Sequence, residues 1–480
     1  MTNIFNNRSE ILLLVAFILV NILMYSFSYG DDAALRAGAD SGQYLRPARS
    51  LVDYGTFTMN PPGWTPEMSV SQPFTFGTPL YSILLAVPYF FFEQTINFYI
   101  TLIIIQCSLL YFIGWLSRGF LPFFNSRRSI LIHTLVIFNP NSLTTAHLIQ
   151  SETLFTLFVV TSLLFLFKYI KYGGITNLIF IGLSAGLLTL TRPAGLYLVY
   201  MIPVIIITIK SFQFFQNKIT KKNYRYISFS NFHFLIPVIV AFLVMSPWYA
   251  RNYINTNELF LTSESGAYIK DNYTTLIHRG RTGLTEQEAF NISDKEQLKY
   301  FIDNGVNDYC YTNNSIDLAR DQKCSQYVFD AVLNGILNES FKTHARALFH
   351  SWGVLYFSGG ASNFRNYIGL EGSSLLVDFQ QNEFHGLDSI IKLIKKMEIG
   401  YFIIFLIFTS FAVISRAFGL IGFYRLLRNS EKFPYLIAII GVLAIFTAMY
   451  LYLGQSRFRV PLEPILTLMT ILAFTSKKQG

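Results

Sequence analysis

The stretch Asp40-Ser-Gly-Gln-Tyr44 stands shortly after the first long apolar run of the chain. A carboxylate held rigidly there can take the proton from a hydroxyl or amine as that group attacks an electrophile. Asp is also a favoured N-cap of a helix such as the one that begins at Ser41, and composition alone leaves both roles open. Four arginines occupy the ends of apolar runs: Arg192 in Thr191-Arg-Pro193, Arg251 in Pro247-Trp-Tyr-Ala-Arg-Asn252, and Arg457 and Arg459 in Ser456-Arg-Phe-Arg-Val-Pro461. Arginine is costly near hydrocarbon, and its planar fork suits phosphate oxygens. The alternatives are snorkelling to headgroups or pairing with a local acid such as Glu463. Glu152 follows His147-Leu-Ile-Gln-Ser151 and either orients an incoming acceptor or serves as a helix N-terminal acid. One His five residues before one Glu is a weak metal pattern, so no metal ligand is assigned. No Asp-x-Asp pair or phosphate-cradling glycine loop is present, so no cofactor is assigned and a divalent metal is not indicated.

What positions these groups is a membrane. The 480-residue chain is 52% hydrophobic, 17% aromatic and only 14% charged, whereas soluble domains carry about a quarter charged residues. Its apolar runs approach twenty residues, enough to cross roughly 30 Å of hydrocarbon. The net charge of +9 is spread in short clusters between apolar runs, the pattern of cytoplasmic loops rather than of a nucleic-acid stripe. Spans are expected near 10–29, 96–117, 129–146, 152–170, 175–191, 194–210, 233–250, 399–424, 433–452 and 458–475. Every second loop is basic, which places both termini in the cytoplasm. The first run is too long for a signal h-region and lacks a small-residue cleavage site.

The expected fold is therefore an all-α polytopic membrane protein of about ten transmembrane helices, with interfacial helices and a mainly helical extracytoplasmic domain. Residues 1–250 form an N-terminal membrane module whose first outside loop, 30–95, holds the site; 251–398 form the outside domain; 399–480 supply the last spans. Pro79 to Phe92 is apolar but short, which suits a helix lying in the interface. In the outside domain, Ser293-Asp-Lys-Glu296 has the pattern of a capping box ahead of Leu298 and Phe301. A second helix from about Asn338 to Tyr356 carries Phe341, Phe349 and Trp352 on one side. Cys107 is a packing residue; Cys310 and Cys324 are either a disulfide or free thiols.

The order of these pieces resembles the GT-C superfamily of membrane glycosyltransferases, close to the bacterial relatives of protein O-mannosyltransferases and the lipid A aminoarabinose transferases. The resemblance rests on Asp40-Ser-Gly-Gln-Tyr44, Thr78-Pro-Leu-Tyr81, His147-Leu-Ile-Gln-Ser-Glu-Thr153, Gly182-Leu-Ser-Ala-Gly186 with Leu190-Thr-Arg-Pro-Ala-Gly195, Pro247-Trp-Tyr-Ala-Arg-Asn252, and Arg457-Phe-Arg-Val-Pro-Leu-Glu-Pro464. It covers residues 10 to about 252 and 457–464, and no part of the outside domain. It implies Asp40 as catalytic base and Arg192, Arg251, Arg457 and Arg459 as ligands of a lipid phosphate. Gln43, Tyr44, Tyr81, His147 and Glu152 become candidate substrate-binding residues. Ser41 stands where the closest patterns have a second acid, and Gln43 where aminoarabinose transferases have Arg, so aminoarabinose itself is not implied.

An outward-facing site also selects the donor class, because cytoplasmic nucleotide sugars cannot reach it and a membrane-anchored polyprenyl-phosphate sugar can. The expected reaction moves one sugar from that donor to a glycan, lipid or protein acceptor, with inversion, since no second carboxylate is placed as nucleophile by the sequence. The other expected partners are membrane lipids; nucleic acid is not one. The expected location is a bacterial inner membrane, with the site on the extracytoplasmic side. Two other readings stay open at this point. An oligosaccharide polymerase or ligase would use a lipid-diphosphate donor. A secondary transporter would place charges near mid-membrane and show two related halves.

Overall fold

The computed structural model describes residues 8–28, 40–60, 72–124, 128–220, 232–306, 322–370 and 398–474. Among these the chain is almost wholly helical. In order the helices are α1 (Arg8–Ser26), α2 (Ser41–Tyr54), α3 (Leu80–Phe92), α4 (Ile96–Ser117), α5 (Ser129–Ile137), α6 (Pro140–Ala146), α7 (Glu152–Tyr172), α8 (Ile175–Thr191), α9 (Gly195–Thr220), α10 (Ile236–Thr256), α11 (Ser265–Gly280), α12 (Glu286–Asp303), α13 (Gln322–Asn338), α14 (Phe341–Phe357), α15 (Ala361–Ile368), α16 (Ile399–Leu427), α17 (Phe433–Met449) and α18 (Glu463–Leu472). Two short strands, β1 (Thr58–Asn60) and β2 (Gln72–Pro73), pair antiparallel.

Among the described residues, six helical stretches are long and apolar enough to cross a membrane: Arg8–Ser26, Ile96–Phe124, Glu152–Tyr172, Gly195–Gln216, His233–Thr256 and Ile399–Leu427. Leu80–Phe92, Ile175–Thr191 and Phe433–Met449 are shorter apolar helices. The protein is an integral membrane protein. Two of the expected spans are broken. Asn139-Pro140 splits 129–146, since proline cannot continue the incoming helix. Asn139 then caps α6, its side-chain oxygen accepting from the backbone N–H of Asn141 and Ser142 at 3.1 Å. The last span opens instead as a tight 3₁₀ segment, Ser456–Leu462, before the ten residues of α18.

Close packing explains one motif directly. Gly182-x-x-x-Gly186 turns a small-residue face of α8 onto α10: a Cβ at Gly182 would stand 2.5 Å from the Pro237 carbonyl oxygen, and one at Gly186 2.7 Å from Val244 Cβ. Backbones approach this closely in membranes because apolar helices gain from contact rather than from leaving water. The main core runs through α7, α8, α9, α10, α17 and α18, with Phe155, Phe167, Ile181, Ala241, Ile439 and Leu468 buried.

The polar segment after α10 builds its own core from Tyr273, Leu276, Ile277, Phe301, Val328 and Val332. Its capping box lies earlier than expected. Thr285 accepts from the Glu288 N–H at 3.2 Å and Glu288 returns to the Thr285 N–H at 2.8 Å. The helix runs unbroken through Ser293, which is buried, so the later match was coincidental. The helix expected from Asn338 begins at Phe341 behind a Ser340 cap. Cys324 is disulfide-bonded and Cys107 is free and buried; Cys310, like Asp31 and Asp32, lies outside the described residues.

Candidate active site

A cavity of about 750 Å³ opens where α2, the α8–α9 connection, the face of α11 and the segment 449–458 meet. Asp40, Gln43, Tyr44, Arg192 and Arg457 all line it. Asp40 occupies the N-cap position of α2, yet its side chain makes no capping bond. Its Oδ2 instead accepts from Arg457 Nη1 at 2.9 Å. Cap and ion-pair partner are thus separated by the structure: the backbone keeps the cap position while the carboxylate faces the cavity.

Each guanidinium is held from behind. Arg457 Nε donates to Gln455 Oε1 at 3.0 Å. Arg192 Nη1 donates at 2.6 Å to Glu152 Oε1, whose side chain is 2% exposed. The ring of Phe458 lies 4.8 Å from the Arg457 guanidinium and 5.9 Å from that of Arg192, and stacks on Tyr450 at 4.2 Å. Two cations share one aromatic ring, so they stand close together on the same wall. Such a pair attracts a doubly ionisable anion, and Arg forks fit phosphate oxygens.

Tyr44 shares a hydrogen bond with Ser151 at 3.1 Å, next to the Arg192 anchor at Glu152. Burial, more than any charge nearby, pushes its phenol up to about 12, so it remains a neutral hydrogen-bonding group at physiological pH. Its ring meets Tyr81 edge-on at 4.9 Å. Tyr81 itself is fully buried and donates to Gln106 Oε1 at 3.0 Å. Gln106 in turn donates to the Ala146 and Leu148 carbonyls at 3.1 and 2.8 Å. Tyr81 therefore supports the floor behind Tyr44 and pins the segment after α6.

His147, Arg251 and Arg459 are placed away from the cavity wall. His147 is buried between Asn21 Oδ1 at 2.8 Å and the Tyr367 hydroxyl at 3.0 Å, tying α1 to α15. Arg459 is 1% exposed. Its Nε donates to Glu463 at 2.5 Å, and its other nitrogens to the carbonyls of Leu355 and Ser358. Glu463 also receives Arg416 Nη2 at 2.7 and 2.8 Å. Here the local-acid alternative describes the side chain, and the triad locks α14, α16 and α18 together.

Arg251 works with its neighbours as a clamp. It donates to the Phe57 and Phe74 carbonyls at 2.6 Å each, with its guanidinium 4.7 Å from the Trp248 ring. Trp248 Nε1 donates to the Leu261 carbonyl at 2.9 Å, and Asn252 Nδ2 to those of Phe260 and Leu261 at 3.1 Å. Ser263 N–H then donates to the Thr75 carbonyl at 3.0 Å. The motif Trp-Tyr-Ala-Arg-Asn thus fastens two irregular strips, 72–76 and 259–263, whose side chains form much of the cavity wall.

No family model and no curated protein sequence matches the chain. Among solved structures it is similar to the oligosaccharyltransferase AglB from Archaeoglobus fulgidus in complex with an inhibitory peptide and a dolichol-phosphate, at 15% identity and a TM-score of 0.47, over 96% of this chain and 50% of that one. The apo form of the oligosaccharyltransferase from the same organism gives 12% identity and a TM-score of 0.48, over 98% and 51%. ArnT from Cupriavidus metallidurans bound to undecaprenyl phosphate gives 12% and 0.38, over 95% and 77%. The chain spans about half the length of the oligosaccharyltransferase.

The cavity also contains carboxylates that the sequence did not single out. Glu264 and Asp271 face it from α11 and the turn before it. Enclosure by protein raises Glu264 most, with Arg192 opposing and Asp40 and Asp271 adding, so that it is pushed up to about 7. Asp271, though exposed at the cavity, is also raised by partial loss of water around it, with Lys270 opposing and Asp40 adding. Carboxylates other than Asp40 therefore line the same cavity. The signal was present as a polar stripe at helical spacing, 264, 268, 271, 275 and 278. It lacked meaning until the fold brought α11 and α2 to the same cavity.

Proposed function

We propose that the protein is a glycosyltransferase that moves a single sugar from a polyprenyl-phosphate donor to an acceptor on the extracytoplasmic face. The observation that carries this reading is that Asp40, Arg192 and Arg457 line one cavity although their positions in the chain are far apart. The acceptor oxygen or nitrogen attacks the anomeric carbon, and its proton passes to Asp40. The bond between that carbon and the phosphate oxygen breaks. The electron pair leaves with the lipid phosphate, whose growing charge falls to Arg192 and Arg457. Direct displacement inverts the anomeric centre.

The charges assigned to the site, Asp40, Arg192 and Arg457, stand at helix ends rather than at mid-span, which supports transfer over transport. The donor's chain would lie against the apolar side of the same cavity, where Leu196, Tyr197, Tyr249 and Leu259 line it and Tyr197 and Leu259 are also exposed. The test is turnover of a labelled polyprenyl-phosphate sugar by purified protein. Asp40→Asn should retain donor binding and lose transfer by about 10²–10⁴-fold. Release of a lipid diphosphate instead of a monophosphate would point to a polymerase or ligase. Parental turnover by Asp40→Asn would end the base assignment.

A further inference from the structure

The cavity has two walls of different chemistry. Its cationic end is Arg192 and Arg457 over Phe458. The wall supplied by α11 and the residue before it carries acids and hydroxyls: Glu264, Tyr268, Asp271, Thr274, Thr275 and His278 lie on the face that lines the cavity. Phe290 of α12 continues that wall. Thr274 is 9% exposed, and its buried hydroxyl has no hydrogen-bond partner among the described residues. A buried hydroxyl of that kind costs stability unless something arrives to satisfy it. Arg279 of the same helix also lines the cavity, with its Nη1 held by Ser351 Oγ and the Tyr452 carbonyl, both at 2.8 Å.

We infer that the α11 face is the acceptor subsite and that it takes an extended glycan of neutral or amine-bearing sugars. This rests on the glycosyl-transfer reading and deepens it. Carboxylates and threonine hydroxyls accept from the O–H and N–H groups that line a sugar chain, and the ionised carboxylates repel phosphate, sulfate or carboxylate substituents. Tyr268 and Phe290 add ring surface for the apolar faces of pyranose rings. From Glu264 to His278 the helix rises roughly 21 Å at 1.5 Å per residue, long enough for several sugars end to end. The inner end of that track lies beside Arg192 and Asp40, whose charges act on Glu264. The terminal hydroxyl of a chain on α11 is thereby delivered to the base.

The experiment uses the full-length protein in lipid nanodiscs and reads saccharide binding by saturation-transfer NMR, with no donor present. The probes are maltotetraose, a glucosamine tetramer, a heparin-derived sulfated tetrasaccharide and a serine-rich tetrapeptide. The neutral and amine-bearing tetramers should bind. Asp271→Asn and the near-isosteric Thr274→Val should each weaken that binding by about 3- to 10-fold, the range for one lost hydrogen bond. Tighter binding of the sulfated probe or the peptide overturns the inference, as does unchanged binding in both variants or no binding of either tetramer. Donor cleavage is measured separately. If that activity does not depend on Asp40, glycosyl transfer by this site fails while saccharide binding on α11 stands on its own result.

Discussion

Arg457 and Asp40 are 417 residues apart in sequence and 2.9 Å apart in the fold, with the guanidinium donating to one carboxylate oxygen at the edge of the cavity. The pair is partly exposed, 18% and 25%, so water moderates its strength and its value lies in orientation. Arg457 fixes one oxygen of Asp40, while the same guanidinium remains on the wall proposed for the phosphate. The two groups must then act as a unit. Arg457→Gln should weaken donor binding about tenfold and slow transfer further, and the Asp40→Asn/Arg457→Gln double variant should lose less than the sum of the single losses. Additive losses in kcat/KM would show that the two groups work independently.

Glu152 is the anchor of Arg192, and a buried cation deprived of its partner is strongly penalised. Glu152→Ala should destabilise the protein by about 3–5 kcal/mol. Glu152→Gln keeps a hydrogen-bond acceptor and should fold better, yet hold donor less tightly than the parent. Thermal unfolding and donor titration separate the two effects. Equal donor affinity in Glu152→Gln would remove Glu152 from any positioning role.

For Arg459 the expected loss is structural. Glu463→Ala would leave Arg459 and Arg416 uncompensated in the interior, a penalty of about 3–5 kcal/mol, and should abolish accumulation of folded protein. Arg459→Ala should lower the melting temperature without a matching change in donor affinity among the molecules that remain folded. A selective loss of donor binding at parental melting temperature would place Arg459 in the phosphate site after all.

Arg251 has a similar prediction with a different origin. Removing it strips two carbonyl oxygens, those of Phe57 and Phe74, of a charged donor. Each such hydrogen bond contributes about 1.5–3 kcal/mol. Arg251→Ala should therefore destabilise the protein and raise the hydrogen-exchange rate of the Ser263 amide, which bonds to Thr75 on the adjoining strip. Retained protection at that amide would show that Trp248 and Asn252 suffice as the clamp.

Glu264 sets a pH window. Its folded-state value of about 7 lies above the ordinary 4.5, chiefly through burial, against Arg192 and with Asp40 and Asp271. A carboxyl raised in the folded state binds its proton more tightly there, so the stability it contributes falls as pH climbs from about 4.5 to about 7 and is level above that. Glu264→Gln carries a permanent neutral mimic and should flatten that part of the melting-temperature profile between pH 5 and 8. An identical profile in parent and variant would mean that Glu264 titrates as an ordinary surface acid.

The membrane character, the helical class and most helix positions follow from the sequence by itself, because apolar runs and proline positions act locally and need no partner to be read. The expectation that Asp40 groups with arginines at span ends has the same local origin, since charges at span ends are few, and the structure brings Asp40, Arg192 and Arg457 to one cavity. What the sequence could not decide is which arginine faces the cavity. Arg192 and Arg457 line the cavity while Arg251 and Arg459, in motifs of equal promise, face carbonyls and Glu463. A guanidinium's duty depends on which backbone lies within about 3 Å of it, and that is set by helices packed from distant parts of the chain. The α11 stripe makes the same point from the other side. Its residue spacing was visible, but only the tertiary structure turned that face toward Asp40 rather than toward water.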